Sequence, residues 1–159
     1  MVMIELVTYC GGYCGLCGRW KETATLVRLA KALAELADAH GYQHWMPEDV
    51  KEFNYTEFRK ALGFFSDENS WLVCKRGCKG GDGNPFCEIQ NCCKNLGLDL
   101  CFNCGKFPCD KVKDNPEMIK GAREYRKLGK DEWLTQMVQK AKQGWEGHTK
   151  KYYQICIKE

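Results

Sequence analysis

The side chains best able to do chemistry in this chain are its 12 cysteines, eight of which lie between Cys74 and Cys109. The spacing there is Cys74-x3-Cys78, then Cys87-x4-Cys92-Cys93, then Cys101-x2-Cys104-x4-Cys109, and an N-terminal group reads Cys10-x3-Cys14-x2-Cys17. Two cysteines separated by two residues can bind one metal ion from a single turn, and structural zinc sites are commonly closed by four thiolates. The pattern therefore predicts metal ligation.

Ten cysteines are predicted metal ligands. They are Cys10, Cys14, Cys17, Cys74, Cys78, Cys87, Cys92, Cys101, Cys104 and Cys109. Zinc is the predicted ion, and the alternative is an iron–sulfur ([4Fe-4S]) cluster, because such clusters also use four thiolates at short spacing. One expected set joins Cys10, Cys14 and Cys17 to a thiolate from the middle of the chain. The other joins Cys101, Cys104 and Cys109 to either Cys87 or Cys92.

Other interpretations of the same cysteines are weaker. The Cys10-x3-Cys14-x2-Cys17 spacing also occurs in radical S-adenosylmethionine enzymes, but the chain lacks the length and the βα repeat of their barrel. A thioredoxin-type dithiol at Cys14 and Cys17 lacks its βαβ setting. Cys93 and Cys156 are expected to pack, and His40, His44 and His148 to have structural or solvent-facing roles. No nucleophile–base arrangement, phosphate-binding loop or carboxylate pair stands out, so no catalytic residue is predicted.

Composition points to one modest globular domain, with 44% apolar and 28% charged side chains in 159 residues. No run approaches the roughly 18 apolar residues of a membrane span, and the N-terminal segment lacks the basic leader of a secretory signal. We therefore expect a cytoplasmic protein without a membrane partner. In a reducing compartment, cysteines at short spacing bind metals more often than they form disulfides.

The net charge of +3 is unevenly distributed, since residues 106–159 carry 13 basic and 8 acidic side chains. Arg123, Arg126, Lys127 and Lys130 lie close together and are a subordinate indication of nucleic-acid binding. Because acidic residues are interspersed, solvated helix faces explain the same pattern. The principal expectation is a non-enzymatic, zinc-stabilised module that binds a partner, either a protein or a nucleic acid. An iron–sulfur electron-transfer or thiol redox-sensing protein is the alternative.

Apolar periodicity predicts several helices. The first spans 23–40, with Thr23 as its cap, Gly41 as its stop, and one core stripe of Leu26, Leu29, Ala30, Leu33 and Ala37. The second region begins at Pro47 and breaks near Asn54, with apolar positions at Val50, Phe53, Phe58, Leu62 and Phe65. A short helix is predicted between Asn84 and Gly97, and longer ones from Pro116 to Gly129 and over 131–143. Residues 4–9 predict a short strand, and 152–157 a strand or a helix.

The predicted fold is mainly α with irregular metal-held loops, that is, a small cysteine-rich zinc-binding domain packed on helices. It is expected to be a single domain over 1–159, with cysteine-rich metal-binding parts at 1–19 and 74–109 and helical parts at 23–65 and 116–143. The central part has many glycines and few large apolar residues. Sulfur–metal bonds, rather than burial alone, are therefore expected to hold it.

Three motifs resemble an uncharacterised "domain of unknown function" family of small, cysteine-rich bacterial and archaeal proteins. They are Tyr9-Cys10-Gly11 with Cys14 and Cys17, Cys87-Glu-Ile-Gln-Asn-Cys92, and Cys101-Phe-Asn-Cys104-Gly-Lys-Phe-Pro-Cys109. The resemblance covers roughly residues 9–128 and implies a presumed zinc-binding cytoplasmic protein of unassigned activity. Relatives often carry a further cysteine where this chain has Asn84, so a site that used that thiolate is lost, rearranged or completed by Cys93.

Overall fold

The structure is a computed structural model that describes residues 6–154. Its secondary structure is mainly helical, as predicted. The chain divides into two compact units, the first made of residues 1–16 and 75–142 and the second of residues 17–74 and 143–159. The single domain over 1–159 stays a prediction. Residues 155–157 of the tail segment 152–157, Cys156 among them, lie outside the described residues.

The second unit contains three helices and a small hairpin. They are α1 (Thr25–Ala39), α2 (Met46–Asp49), α3 (Tyr55–Ser66), β1 (Trp145–Glu146) and β2 (Lys151–Tyr152). The two strands pair antiparallel, with Trp145 opposite Tyr152 and Glu146 opposite Lys151. The ambiguous tail thus begins in a strand.

The prediction for α1 is confirmed at the C-terminal end of the helix but not at its N-terminal end. Gly41 adopts the left-handed φ of 68° that a helix stop needs, which glycine tolerates without strain. At the other end Ala24 is the N-cap, and no side chain caps the helix. The predicted cap, Thr23, instead donates its hydroxyl to the carbonyl oxygen of Cys17 at 3.1 Å. Thr23 therefore stabilises the loop before α1 and does not cap the helix.

The buried face of α1 differs from the predicted stripe. Val27, Ala30, Ala34 and Ala37 are buried, and Ala30 and Ala34 pack with Leu62 and the half-buried Phe58 of α3. Alanines let α1 and α3 approach closely, whereas leucines at the contact would hold the two helices further apart. The predicted core residues Leu26, Leu29 and Leu33 are consequently exposed.

Helix α3 begins where the sequence predicts a break. The Asn54 side chain accepts a hydrogen bond from the backbone amide of Glu57 at 3.0 Å and caps the helix. Tyr55 and Leu62 are buried, but Phe53 and Phe65, two predicted core positions, are exposed.

The first unit carries its cysteines on loops and one short helix. Its helices are α4 (Glu88–Asn95), α5 (Pro116–Leu128) and α6 (Lys130–Lys142), and α5 packs against α6. Helix α5 begins at Pro116 behind an Asn115 cap and ends at Gly129, as predicted. The predicted N-terminal strand is wrong for its described residues, because Val7 makes one isolated bridge, to Tyr13.

A chain of aromatic contacts connects the cysteine loops of the first unit to α5 and α6. The Phe102 ring centroid lies 5.4 Å from that of Phe107 and 5.9 Å from that of Tyr125, and Tyr125 lies 5.6 Å from Trp133. Edge-to-face pairs at such distances stabilise a core beyond simple burial. Phe102 therefore anchors the loop that carries Cys101 and Cys104.

Within residues 6–154, none of the helices is both long and apolar enough to cross a bilayer.

Candidate metal centre

Five cysteines of the first unit lie near one another and are called the five-cysteine group. They are Cys92, Cys93, Cys101, Cys104 and Cys109. Cys93 and Cys101 are buried and pack with Val112, and Cys109 lies at the edge of the same apolar cluster. Backbone hydrogen bonds close the turn between Cys101 and Cys104 at 3.0 Å and the turn from Cys109 to Val112 at 2.9 Å. Separate loops and α4 thus place these cysteines in one region of the first unit.

The thiols of this group affect one another's ionisation. Burial raises the pKa of Cys93 to about 12, and charge at Cys101 and Cys92 contributes in the same direction. Burial likewise raises the pKa of Cys101, followed by charge at Cys109 and Cys104. Adjacent thiolates repel, so a cation is needed to compensate the charge when Cys93 or Cys101 loses its proton.

Three further cysteines of the first unit, Cys10, Cys78 and Cys87, form what we call the three-cysteine group. The pKa of Cys78 is raised, chiefly by burial. A hydrogen bond from the Tyr9 backbone amide acts against this shift, and charge at Cys10 and Cys87 adds to it. The Thr8 hydroxyl oxygen lies 3.1 Å from the Cys10 sulfur. Hydrogen-bonded sulfurs on short loops suit the orientation that metal ligands need.

A carboxylate organises the loop that carries Cys78. Asp82 accepts hydrogen bonds from the backbone amides of Lys75 and Arg76 at 2.9 and 2.8 Å, and from the Arg76 guanidinium at 2.7 and 2.9 Å. The Arg76 guanidinium and these amides lower the Asp82 pKa to about 2. The Gln90 side chain donates to the Cys78 carbonyl oxygen at 3.2 Å. Side-chain hydrogen bonds thus hold a loop that has too few apolar residues to pack.

In the second unit, Cys17 and Cys74 lie on neighbouring segments. The Cys74 amide donates to the Arg19 carbonyl at 2.8 Å, and the Lys21 amide donates to the Cys74 carbonyl at 3.0 Å. The pKa of Cys17 is raised, chiefly by burial. A hydrogen bond from the Arg19 backbone amide acts against this shift, and charge at Glu146 and Cys74 adds to it. An amide that points at a cysteine sulfur two residues earlier is the turn geometry expected of a metal-binding cysteine pair.

A buried carboxylate that no sequence signal indicated lies beside the loop that carries Cys17. Glu146 is buried, and one oxygen accepts the Gly18 amide at 3.0 Å and lies 2.9 Å from Nδ1 of His148. Its other oxygen accepts the amides of His148 and Thr149 at 3.0 and 2.7 Å. Burial acts to raise the Glu146 pKa, but these hydrogen bonds outweigh it and the pKa is lowered. The carboxylate therefore ties the hairpin to the loop that carries Cys17.

We expect Glu146→Gln to lower the free energy of unfolding by about 1–3 kcal/mol, because an amide cannot accept all of these hydrogen bonds and part of the buried set is left unpaired. The folded-state pKa of Glu146 lies below its unfolded value, so its contribution is present above the unfolded pKa and lost as the pH falls through the folded pKa. Urea unfolding of wild type and variant at neutral and acidic pH should show a difference that shrinks in acid. A constant difference would contradict the assignment.

A pocket of about 310 Å³ opens beside this carboxylate, within the second unit. Cys17, His148 and Tyr153 contribute to its wall together with Leu26 and Leu29 of α1. The His148 side chain is largely exposed although its ring contacts Glu146. His148 thus makes a structural contact within the hairpin. It lies at the rim of a cavity that the sequence did not indicate.

The structure distributes the ten predicted ligands among several places. Cys101, Cys104 and Cys109 occur with Cys92, whereas Cys87 occurs with Cys78 and Cys10. Cys14 is buried in a short turn of the first unit, Cys14–Leu16, and Cys17 belongs to the second unit. Among residues 6–154, no three Cys, His, Asp or Glu side chains are already arranged as a metal ion would require. Both expected ligand sets therefore stay predictions.

The remaining candidate groups have local contacts. His40 stacks on Tyr42, with ring centroids 5.3 Å apart, and His44 contacts Gln43. In the basic cluster, Arg126 donates to the Phe102 carbonyl oxygen at 2.8 Å and lies over the Phe107 ring. One of the four cations proposed for nucleic acid thus has a structural role in the first unit.

Comparison with known proteins gives one match. The chain between residues 6 and 114 matches the model of the family described as "Protein of unknown function (DUF3795)". Neither a search of curated proteins nor one of solved structures found a match. The matched region contains the N-terminal cysteine motif and all eight cysteines between Cys74 and Cys109. The chain therefore belongs to this family of proteins of unknown function.

Proposed function

We propose that this protein binds structural zinc through cysteine thiolates, and that the five-cysteine group is its principal site. The proposal is supported by the position of Cys101 and Cys109 in one apolar cluster of the first unit, next to the turn that carries Cys104 and the helix that carries Cys92, all with free thiols. Four thiolates are the usual donor set of structural zinc. Cys93 is the most deeply buried of the five and serves as a packing residue.

Thiolate sulfurs are the ligands that structural zinc prefers. To bind one ion, the sulfurs must move closer together than they are in this structure. The thiols of Cys93 and Cys101 have raised pKa values, so metal binding must displace protons. Zinc, when bound, supplies the positive charge that lets adjacent thiolates coexist. Because the loops are rich in glycine, they can adjust to a tetrahedral arrangement at low steric cost.

The same proposal includes the three-cysteine group, the Cys17–Cys74 pair and Cys14 as further candidate ligands. A reducing compartment, the cytoplasm, is part of it, since these thiols are free. The proposed role of the protein is that of a partner-binding module in which metal ions stabilise the cysteine-rich loops. The exposed apolar residues Phe86 and Leu96 of the first unit support such a role.

Metal content tests the proposal directly. Protein prepared anaerobically should be colourless and contain zinc at an integral ratio, and Cys104→Ser should lose one equivalent. Cys93→Ala is the matched control, because it removes a neighbouring sulfur that the proposal assigns to packing, and it should keep the full zinc content.

Three outcomes would overturn the proposal. Visible charge-transfer absorption with bound iron would assign an iron–sulfur cluster instead. Equal metal loss in Cys104→Ser and Cys93→Ala would show that the assigned ligands are wrong. Protein that binds no zinc when it is refolded with an excess of the ion would exclude the site.

A further inference from the structure

Helix α5 of the first unit carries three positive charges along its solvent-exposed side, which we call the basic row. The row consists of Lys120, Arg123 and Lys127, whose side chains are exposed. Residues three and four apart are neighbours on a helix surface, so the three cations lie along one side of α5. The other side faces the core, since Ala122 is buried and Tyr125 belongs to the chain of aromatic contacts.

The basic row has no acidic partner within the part of the chain that the structure describes, residues 6–154. Other cations of the first unit do have one. These pairs are Arg76 with Asp82, Lys79 with Asp99, Lys111 with Glu88, and Lys113 with Asp110. Like charges at three- and four-residue spacing destabilise a helix, so the row lowers the stability of α5 unless an anion binds to it. The arrangement therefore favours an anionic ligand.

Acidic residues border the basic row on one side only. With about 3.6 residues per turn, Glu117 and Glu124 lie on one side of the row and Arg126 lies on the other. Arg126 is held in place, because its guanidinium donates to the Phe102 carbonyl oxygen at 2.8 Å and lies over the Phe107 ring. The acidic residues that are interspersed in the sequence are thus separated from the cations on the helix surface, and an extended anion has a positive path along the Arg126 side.

The geometry of the row fits the phosphate backbone of a nucleic acid. Its cations are about 4.5 and 6 Å apart along the helix axis, a spacing of the same order as that of successive phosphates on one strand. An acidic peptide has no such regular spacing of charge. A helix that lies on a membrane needs an exposed apolar face beside its cations, and the large apolar side chains of α5 are not among the exposed ones.

We propose that the basic row binds the phosphate backbone of a nucleic acid. Contacts to phosphate provide affinity and position but carry no sequence information, so binding is expected to be independent of base sequence. The dissociation constant should lie near 10⁻⁴–10⁻⁶ M at physiological salt, the usual order for binding of this kind. The inference rests on the partner-binding role proposed above but not on the metal, because α5 contains no cysteine.

Fluorescence anisotropy of a labelled single-stranded oligonucleotide, titrated with the full-length protein, tests the proposal. With three phosphate contacts, the logarithm of the affinity should fall with the logarithm of the salt concentration with a slope of about −2. A duplex of the same sequence should give a slope of about −3, because more counterions are released from each phosphate of a double strand. A second oligonucleotide of unrelated sequence should bind with the same affinity.

Substitutions in the row and beside it locate the binding surface. Lys127→Gln should weaken binding about fivefold and reduce the steepness of the single-strand salt slope by about 0.7. Lys31→Gln is the matched control, because Lys31 is also an exposed helical lysine but lies in the second unit, and it should bind like wild type. Glu124→Gln removes an acid beside the row and should tighten binding. Glutamine has nearly the helix propensity of lysine and glutamate, and circular dichroism should confirm unchanged helix content.

Several results would overturn the proposal. Affinity that does not depend on salt, or an equal loss in Lys127→Gln and Lys31→Gln, would exclude the basic row as the site. Tighter binding of polyglutamate or of phosphatidylserine vesicles than of the oligonucleotide would assign an acidic protein or a membrane as the partner instead. Zinc content measured on the same preparations keeps the two proposals apart, since protein that holds zinc but does not bind the oligonucleotide contradicts the basic row alone.

Discussion

Removal of the proposed zinc by a strong chelator is expected to unfold the cysteine loops of the first unit. Structural zinc contributes on the order of 10 kcal/mol in small domains, as much as the whole stability of a typical domain, about 5–15 kcal/mol. Amide hydrogen exchange over residues 75–115 should therefore rise towards that of an unfolded chain. The prediction rests on the many glycines in these loops, whose apolar packing consists of the cluster around Cys93, Cys101 and Val112 and the contacts of Phe102.

The second unit contains an internal control for this experiment. The cluster of Ala30, Ala34 and Leu62 between α1 and α3 contains no cysteine. Exchange in these helices should change far less than exchange in the cysteine loops. Metal loss must first be verified. If the cysteine loops then keep their protection from hydrogen exchange, burial and hydrogen bonds are enough to hold their shape, and the proposed structural role of the ion is wrong.

Gly11→Ala is expected to destabilise the protein by about 2–5 kcal/mol, through backbone strain together with overpacking. Gly11 has a φ of 82°, and a Cβ atom placed on it would lie 2.0 Å from Cζ of Phe102. The Phe102 ring is only 2% exposed and packs on Phe107 and Tyr125, so it cannot move aside without loss of those contacts. Urea unfolding of the variant, followed by circular dichroism, gives the value.

Gly105→Ala is the matched control for Gly11→Ala. Gly105 lies in the same unit and also follows a predicted cysteine ligand, but no atom lies within 4 Å of its would-be Cβ and its φ is not positive. Its unfolding midpoint should remain close to that of wild type. Equal midpoints for the two variants would mean that the Phe102 ring does not pack on the loop after Cys10.

Local signals in the sequence were sufficient for most helix boundaries. Pro116 and Gly129 bound α5, Asn54 caps α3, and Gly41 ends α1, because each of these residues acts through its own backbone preference or a hydrogen bond within one turn. Such effects need no knowledge of distant parts of the chain. The mainly helical class followed from them, and the family resemblance followed from the ordered cysteine motifs.

The choice between two apolar faces of α1 needed the tertiary structure. The sequence places leucines and alanines on adjoining stripes of one helix, and the larger leucines have the greater hydrophobic gain on burial. The structure buries the alanines, because α3 approaches closely through Leu62 and Phe58. Periodicity specifies that a face is apolar but not which of two apolar faces a neighbouring helix covers.

The sequence by itself determined several helix ends, those at Gly41, Asn54, Pro116 and Gly129, and that the cysteine-rich segments of this chain belong to a known family. The tertiary structure alone decided which sulfurs are neighbours, since Cys92 and Cys93 approach Cys101 only once α4 packs on the loop before α5. It also decided that Glu146, more than 120 residues from Gly18, would bind that backbone amide. Helix ends depend on interactions within a few residues, whereas these contacts depend on the packing of segments that are far apart in the chain.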